Sequence, residues 1–307
     1  MRLLISGSTG LVGAALLELF RQQGHDVSRL VRPSTRNRQA GRMKSPQPSS
    51  VAWDPIAGVL DPAATGADAV VHLAGAPIGE GRWTASRKRL LVDSRVAATR
   101  QLVAALAQLP QPPRVFIAAS AIGFYGDRGD EELTESSASG HDFLADLCSD
   151  WEAESARAAA FGARVVLLRF GIVLAKHGGA LPRMVFPFRL GVGGRIGSGR
   201  QWMSWVAIKD VVEIIGFAVR TSGLSGPVNV VAPNPARNAD FAAALGRVLH
   251  RPALLPTPGF ALRIALGEMA DALLLSSQRV SSEKLQTLRY PFMYPSLEDA
   301  LQAILAS

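Results

Sequence analysis

Short apolar runs alternate with longer amphipathic stretches through the first half of the chain. The short runs predict β-strands at Arg2–Ser6, Asp26–Val31, Ala69–Leu73, Arg114–Ala118 and Arg164–Arg169. The longer stretches predict helices at Leu11–Gln23, Ala85–Leu109 and His141–Ala160. Because the strands are almost entirely apolar and helices separate them, we expect parallel strands that are covered on both faces. The pattern therefore predicts an α/β fold with a doubly wound parallel sheet.

The pattern changes near residue 175. Glycine clusters interrupt the chain at Gly178-Gly179, Gly191–Gly194 and Gly197–Gly199, and helical patterns then dominate to the C-terminus. We expect residues 1–175 to form a nucleotide-binding domain and residues 176–307 to form a smaller, mainly helical substrate lobe. Some strands and helices of the second part are expected to interleave with the first.

The junction between the first strand and the first helix reads Gly7-Ser-Thr-Gly10-Leu-Val-Gly13. Gly7 permits a tight turn, Gly10 lets the backbone approach a pyrophosphate, and Gly13 lets the helix lie close to the strand. The helix N-terminus adds N–H donors and the positive end of a dipole. This strand–turn–helix unit predicts a Rossmann-like dinucleotide site.

The second predicted strand indicates which dinucleotide is bound. In such folds an acid about twenty residues past the glycines holds the ribose 2′-hydroxyl. Here that position is Arg32, which suits a 2′-phosphate instead. Arg36 and Arg38, in a polar surface loop predicted over Pro33–Ser50, add positive charge. We therefore expect NADP(H) rather than NAD(H).

Charge and cysteine content limit the other function classes. Lys and Arg number 33 against 25 Asp and Glu, a net charge of +8, so the chain favours anions. Its basic runs, 32–44 and 82–100, lack the repeated aromatic residues of a base-stacking surface, so no nucleic-acid partner is expected. The single cysteine, Cys148, fits a reducing compartment, and the strand at residue 2 leaves no room for a signal peptide. Phe260–Leu275 is too short and too charged to cross a bilayer, so a cytoplasmic protein with no membrane partner is expected.

The chain contains the following short motifs, in this order: Gly7–Gly13, His72–Ile78, Arg82–Thr84, Asp93–Arg95, Ser120–Gly126, Asp150–Glu152, Arg169–Leu174, Gly193–Trp202 and Tyr294–Leu301. In this order the chain resembles the extended and atypical short-chain dehydrogenase/reductases, and more narrowly their YfcH-like epimerase branch. That branch belongs to the NAD-dependent epimerase/dehydratase superfamily and carries a small C-terminal domain. The resemblance covers nearly the whole chain.

The resemblance implies a set of cofactor-binding residues. The pyrophosphate turn would be lined by Thr9, Gly10, Leu11 and Val12. Arg32 would meet the 2′-phosphate, and Arg95 occupies the cofactor position of a Ser-Arg motif. The riboses and the nicotinamide would lie against Leu73, Ala74, Gly75, Ile172 and Val173.

The usual catalytic residues of this superfamily are missing. A Tyr-x-x-x-Lys helix normally supplies the general acid/base and the cation that lowers its pKa. Alignment puts Leu144 and Cys148 at those positions, and neither can do that chemistry. Ser120 and Tyr125 are the remaining catalytic candidates, although Tyr125 also suits a structural anchor. The five histidines show no metal-ligand spacing, so no metal site is expected.

These observations predict an NADP(H)-binding oxidoreductase or epimerase-like protein that lacks the usual catalytic pair. Its substrate, which the sequence does not identify, would lie against the loop Gly191–Trp205, where Trp202 and Trp205 offer stacking surfaces. The alternative is a non-enzymatic NADP-binding regulator that acts through a protein partner.

Overall fold

The structure, a computed structural model, describes residues 1–33 and 50–306. Its strands are β1 (Arg2–Ser6), β2 (Asp26–Val31), β3 (Ser50–Asp54), β4 (Val59–Leu60), β5 (Ala69–His72), β6 (Val115–Ala121), β7 (Glu132–Leu133), β8 (Arg164–Phe170), β9 (Ile172–Leu174), β10 (Trp202–Met203), β11 (Trp205–Ala207), β12 (Gly226–Val230), β13 (Ala236–Arg237) and β14 (Arg279–Val280). Eight of them form one sheet in the order β12-β8-β6-β5-β1-β2-β3-β4. All neighbours in this sheet are parallel except β3 and β4.

The helices are α1 (Leu11–Gln22), α2 (Ala85–Val92), α3 (Ala98–Ala107), α4 (Phe143–Ala156), α5 (Leu181–Arg189), α6 (Ile208–Arg220), α7 (Asn238–Leu249), α8 (Gly259–Leu266), α9 (Glu268–Ala270), α10 (Glu283–Thr287) and α11 (Leu297–Ala306). A π-helical turn, Asp93–Ala97, joins α2 to α3, so the long helix predicted over Ala85–Leu109 is three consecutive helical segments. Among the described residues, no helix has the length and apolar character needed to cross a bilayer.

Alternate side chains of the central strands enter two different cores. In β1, Leu3 and Ile5 pack with α1 and α6, whereas Leu4 packs with α3 on the opposite face. This alternation follows from the two-residue period of a strand. Because both faces are covered by helices, the strands had to be apolar throughout. The predicted doubly wound α/β fold is confirmed.

The C-terminal half of the chain contributes both to the main sheet and to a separate hydrophobic core. β12 pairs with β8 at the edge of the sheet, and α6 packs against α1, so residues 208–230 belong to the sheet layers. A separate core joins α5, α7 and α11 around β9 and β11. The C-terminal part is mainly helical, as expected, and the boundary at residue 175 remains a prediction.

Candidate cofactor and active site

The turn between β1 and α1 depends on two glycines whose side-chain positions are filled by backbone. Gly7 has a φ of +68°, and a Cβ there would lie 2.6 Å from the carbonyl carbon of Leu73. A Cβ on Gly13 would lie 2.3 Å from the carbonyl oxygen of Gly7. Both distances are too short for any other residue, so these glycines bring β1, β5 and α1 into direct backbone contact.

Gly10 differs from both of them. Its N–H donates to the carbonyl oxygen of Gly7 at 3.0 Å, and it forms the N-cap of α1. A Cβ there would meet only that oxygen, at 3.3 Å, and open space otherwise. Thr9 and Gly10 are exposed, and no described side chain caps the helix. The first N–H groups of α1 therefore face a space that an anion can enter.

The loop after β5 forms the next wall of this space. Ser6 accepts hydrogen bonds from the backbone N–H groups of Leu73 (3.1 Å) and Ala74 (3.3 Å). A Cβ on Gly75 would lie 3.0 Å from the guanidinium carbon of Arg95. The structure thus brings the predicted residues Leu73, Ala74 and Gly75 beside the glycine turn.

Arg95 supports this loop from the side. Its Nη2 donates to the carbonyl oxygen of Ala76 at 2.9 Å, and its guanidinium lies 5.2 Å from the ring of Trp151. Burial lowers the pKa of Arg95 from its usual value. The residue is half-buried, and its guanidinium lies between the loop after β5 and Trp151.

The segment after β9 covers the start of α1. Ile172 and Val173 are half-buried in β9, which pairs with β11. A Cβ on Gly179 would lie 3.0 Å from the side chain of Leu11 and 3.5 Å from the carbonyl oxygen of Val173. Val12 and Val173 both pack against the core that contains β1. The predicted residues of the two distant segments therefore meet over the glycine turn.

Arg32 lies one residue beyond β2 and is exposed. Asp54 ends the neighbouring strand β3, and the backbone N–H groups of Ala57 and Ile56 hold the pKa of its carboxyl below the usual value. The nearby positive charge of Arg32 adds to this lowering. Arg36 and Arg38 lie outside the described residues.

Three polar residues lie side by side near the ends of β6, β8 and β12. Ser120 pairs in register with Arg169, and Arg169 pairs with Asn229. All three are buried. Neighbours in register point to the same face of a sheet, so this row forms a polar layer within an otherwise apolar interior.

Arg169 is the centre of that layer. Its Nε and Nη2 donate to the two carboxylate oxygens of Glu152, both at 2.8 Å, and its guanidinium carbon lies 3.5 Å from the ring centre of Phe124. Its Nη1 donates to the hydroxyl of Tyr125 at 2.9 Å. A buried ion pair with this many hydrogen bonds keeps its charges satisfied away from water.

The two catalytic candidates both belong to this network. Ser120 donates from Oγ to Glu152 at 2.6 Å. Tyr125 is fully buried, and its hydroxyl donates to Oδ1 of Asn229 at 2.7 Å while it accepts from Arg169. Burial raises the pKa of Tyr125 from its usual value. The two side chains are brought together, although each already has a protein partner.

His72, at the end of β5, bonds to two hydroxyl groups. Its Nδ1 lies 2.6 Å from Oγ of Ser6, and its Nε2 lies 3.0 Å from Oγ1 of Thr99. Ser6 already accepts from two backbone N–H groups, so its own proton is free for Nδ1. Complete burial lowers the pKa of His72 to about 4. It is therefore a neutral structural residue, and no described group of His, Cys, Asp and Glu could hold a metal ion.

A cavity of about 190 Å³ lies between the N-terminus of α4 and the segment 263–276. Trp83 and Phe143 form an aromatic wall, with their ring centres 5.3 Å apart. The remaining lining residues are mostly acidic or small: Asp127, Asp142, Arg263, Glu268, Asp271, Ala272, Leu275 and Ser276.

The predicted stacking surfaces are not both available. Trp205 is fully buried in the core around α5, α7 and α11, so the expectation that it stacks on a substrate is wrong. The indole N–H of Trp202 donates to Asp130 at 2.8 Å, and the guanidinium of Arg237 lies 4.5 Å from its ring. Arg195 and Arg200 are exposed.

Comparison with known proteins decides the family. The sequence profile described as "NAD dependent epimerase/dehydratase family" matches residues 3–232. The chain belongs to this family. A second profile, a domain of unknown function (DUF1731), matches residues 257–304. The predicted family and its small C-terminal domain are confirmed.

Individual relatives extend over almost the whole chain. The epimerase family protein Mb2239 of Mycobacterium bovis is 42% identical over 298 residues, which are 97% of this chain and 95% of that protein. The crystal structure of human epimerase family protein SDR39U1 with NADPH superposes with a TM-score of 0.89 and 33% identity, covering 100% of both chains. A nucleoside-diphosphate sugar epimerase of Corynebacterium glutamicum has a TM-score of 0.78 and 37% identity over 99% of this chain and 58% of that one.

Leu144 and Cys148, the two residues expected at the positions of the usual catalytic pair, both lie on α4. Leu144 is buried, and a Cβ on Gly123 would lie 3.3 Å from its side chain. Burial raises the pKa of the Cys148 thiol to about 12, and the charge of Glu152 adds to this. The thiol is therefore protonated at neutral pH and is not a nucleophile.

Sequence reasoning did not single out three members of the hydrogen-bonded network: Glu152, Arg169 and Asn229. One signal was present for Arg169, because an arginine within an apolar strand needs a buried partner. Asn229 lies in β12, a strand of the second half that the sequence patterns did not predict.

Proposed function

We propose that this chain binds NADP(H), with the pyrophosphate over the N-terminus of α1. The observation that carries the proposal is the contrast among the three glycines. At Gly7 and Gly13 the position of a Cβ is already filled by backbone atoms. At Gly10 the Cβ position faces open space in front of the uncapped N–H groups of α1. Such a space suits a pyrophosphate, which needs close backbone approach and N–H donors. The NADPH bound by the human relative supports the same cofactor.

The preference for the phosphorylated cofactor rests on Arg32. It is exposed one residue past β2, where an NAD-binding protein places an acid. The acid nearby, Asp54, uses Oδ1 to accept backbone N–H groups of Ile56 (2.9 Å) and Ala57 (3.1 Å). The side chain of Arg32 is exposed, so its guanidinium can bind a 2′-phosphate.

Titration of the purified protein with NADPH and with NADH tests this proposal. Intrinsic fluorescence follows binding, because Trp83 and Trp151 lie close to the cofactor loop. We expect NADPH to bind about ten- to a hundredfold more tightly, which is the contribution of one charge-assisted contact to phosphate. Equal affinity for the two cofactors, or no binding of either, would contradict the proposal.

For the chemistry, we propose an oxidoreductase that works without a Tyr-x-x-x-Lys pair. Ser120 lies near the carboxyl end of β6, the side of the sheet on which ligands of such folds bind, and its proton is donated to Glu152. It therefore offers lone pairs to a substrate O–H or N–H group, which suits orientation of a substrate alcohol. Tyr125 acts through Arg169 as a positioning residue. General acid–base assistance contributes roughly 10²–10⁴-fold, so turnover without it would be slow.

The cavity beside Trp83 and Phe143 narrows the substrate class. Its volume of about 190 Å³ is below the ~300–1,000 Å³ of most small-molecule sites. Its acids outnumber its single arginine, Arg263, which already pairs with Asp271 at 2.8 Å. The four carboxylates around this space disfavour the diphosphate of a nucleoside diphosphate sugar. We propose a small, uncharged carbonyl compound or alcohol.

Turnover by variants tests these assignments. In assays of a panel of small aldehydes and ketones with NADPH and of small alcohols with NADP⁺, Ser120→Ala should lower kcat more than KM for the alcohols, while Tyr125→Phe should mainly lower stability. Wild-type turnover that survives both substitutions together would contradict a role for this hydroxyl network.

The alternative function is an NADP-binding regulator, and one observation favours it. Ser120, Tyr125 and Glu152 each already have a protein partner. A polar network whose members bond to one another holds its residues in place and does not transfer protons to a substrate. Tight NADPH binding with no turnover on the carbonyl panel, together with a cofactor-dependent change in protease cleavage of the C-terminal lobe, would support the regulator.

A further inference from the structure

The C-terminal lobe exposes several large apolar side chains. On α5 and the turn after it, Phe186, Leu190 and Val192 are 62%, 61% and 51% exposed. Leu254 and Leu255 are 79% and 53% exposed. Single exposed apolar residues are ordinary, but a group of them on one surface marks a contact site. We call these five residues the apolar patch.

Backbone contacts bring the two halves of the apolar patch together. The N–H of Leu255 donates to the carbonyl oxygen of Gly193 at 3.2 Å. A Cβ on Gly194 would lie 2.2 Å from the carbonyl oxygen of Leu255, so the two segments are in direct contact. Phe260 and Ile264 continue the exposed apolar surface on α8, one helical turn apart and 66% and 72% exposed.

The two chain segments that carry the apolar patch contain basic residues and no acidic ones. The chain has no Asp or Glu between Glu154 and Asp210, nor between Asp240 and Glu268, and both segments of the patch lie within these intervals. Arg189, Arg195 and Arg251 are exposed beside the patch. Arginine guanidinium groups bind phosphate well, and their stems pack against apolar surface.

We propose that this surface docks onto an anionic lipid bilayer. Phe186, Leu190 and Leu254 insert at the level of the headgroups, and the flanking arginines bind lipid phosphates. The same charges disfavour a two-fold contact between copies of this chain, because such a contact would bring the arginines of both protomers together. The protein lies on the membrane and does not span it. This departs from the sequence expectation of no membrane partner.

Co-sedimentation of the full chain with vesicles tests the proposal. One set contains phosphatidylcholine alone, and the other contains equal parts of phosphatidylcholine and phosphatidylglycerol. We expect binding to the anionic vesicles, release by high salt, and weak binding to the neutral ones. Arg189→Gln with Arg195→Gln should weaken anionic binding by roughly twentyfold, at about fivefold for each arginine. Phe186→Ser with Leu190→Ser should weaken it by at least about tenfold.

A matched control uses exposed apolar residues elsewhere. Ile56→Ser with Val59→Ser removes side chains that are 92% and 64% exposed in the β3–β4 hairpin, and it should leave vesicle binding unchanged. All substitutions are on the surface, so thermal unfolding and NADPH affinity should stay close to the wild type. Two results would overturn the proposal: no binding to either vesicle, or equal loss of binding in the control. A concentration-dependent dimer that Phe186→Ser with Leu190→Ser abolishes would assign the surface to self-association instead.

Discussion

The two halves of the carboxyl edge of the sheet are built in opposite ways. At the ends of β1 and β2 the chain presents glycines, an uncapped helix and an exposed arginine. At the ends of β6, β8 and β12 it presents Ser120, Arg169 and Asn229, all buried and all hydrogen-bonded. The first half leaves space for an anion, and the second fills the space with protein contacts.

This difference separates binding from chemistry. Cofactor binding needs open backbone N–H groups, and those remain. Acid–base chemistry needs a titratable group that reaches the substrate, and the sequence prediction places Leu144 and Cys148 at the two helix positions that normally provide it. The hydrogen-bonded network around Arg169 leads directly into the segment that contains Ile172 and Val173. In the proposed function, one half of the sheet edge binds the cofactor and the other half holds its residues in fixed positions.

The largest effect should come from a substitution that fills the space in front of the glycine turn. Gly10→Val places a side chain where the pyrophosphate must approach, so NADPH binding should fall by at least about a hundredfold. The backbone at Gly10 (φ −78°, ψ 172°) is extended and accepts valine, so the fold should survive. Calorimetric titration measures the affinity.

Gly223→Val is the matched control, because a Cβ at Gly223 meets nothing within 4 Å and lies outside the proposed cofactor site. Unchanged NADPH affinity in folded Gly10→Val protein would mean that the turn is only structural.

A substitution in the buried network around Arg169 should lower the free energy of unfolding rather than the affinity for NADPH. Glu152→Gln leaves the buried charge of Arg169 without its counter-ion, and removing one member of such a pair costs about 3–5 kcal/mol. Glu154→Gln provides the control on the same helix, since its arginine partners are 55% and 65% exposed and such pairs contribute about 0–1 kcal/mol. Denaturant unfolding measures both. Equal losses of unfolding free energy in the two variants would show that the buried ion pair stabilises the fold no more than the exposed pairs do.

A smaller effect on the free energy of unfolding is expected when the pH is lowered. His72 has a pKa of about 4 in the folded chain against 6.5 when unperturbed, so the unfolded state takes up a proton first as the pH falls. Stability should therefore decrease from about pH 6.5 to about pH 4, by about 3 kcal/mol in all, and level off below. His72→Gln should remove this part of the slope, and His177→Gln, on an exposed histidine, should not. The same slope in wild type and His72→Gln would contradict the assignment.

Sequence patterns predicted the fold well where local and long-range signals agree. The five long apolar runs are strands because a covered parallel sheet requires apolar residues throughout, and the glycine turn follows from backbone contacts that only glycine permits. The strands of two or three residues, β4, β7, β9, β10, β11, β13 and β14, were not predicted, since so few residues carry no usable period, and β3 and β12 were not predicted either.

The remainder of the site depends on packing between distant segments. Trp205 was expected to face a substrate, yet it lies in a core formed by three helices of the second half. The partners of Arg169 come from α4, from Tyr125 and, through Tyr125, from Asn229, and no local pattern relates these positions.

The most direct test of this account is the ratio of NADPH to NADH affinity in Arg32→Glu. Replacing the guanidinium by a carboxylate should remove the about ten- to hundredfold preference for NADPH, or reverse it, because a carboxylate repels the 2′-phosphate and accepts the 2′-hydroxyl. Arg114→Glu, an exposed arginine at the amino end of β6, should leave the ratio unchanged. A ratio that is the same in wild type and Arg32→Glu would contradict the account.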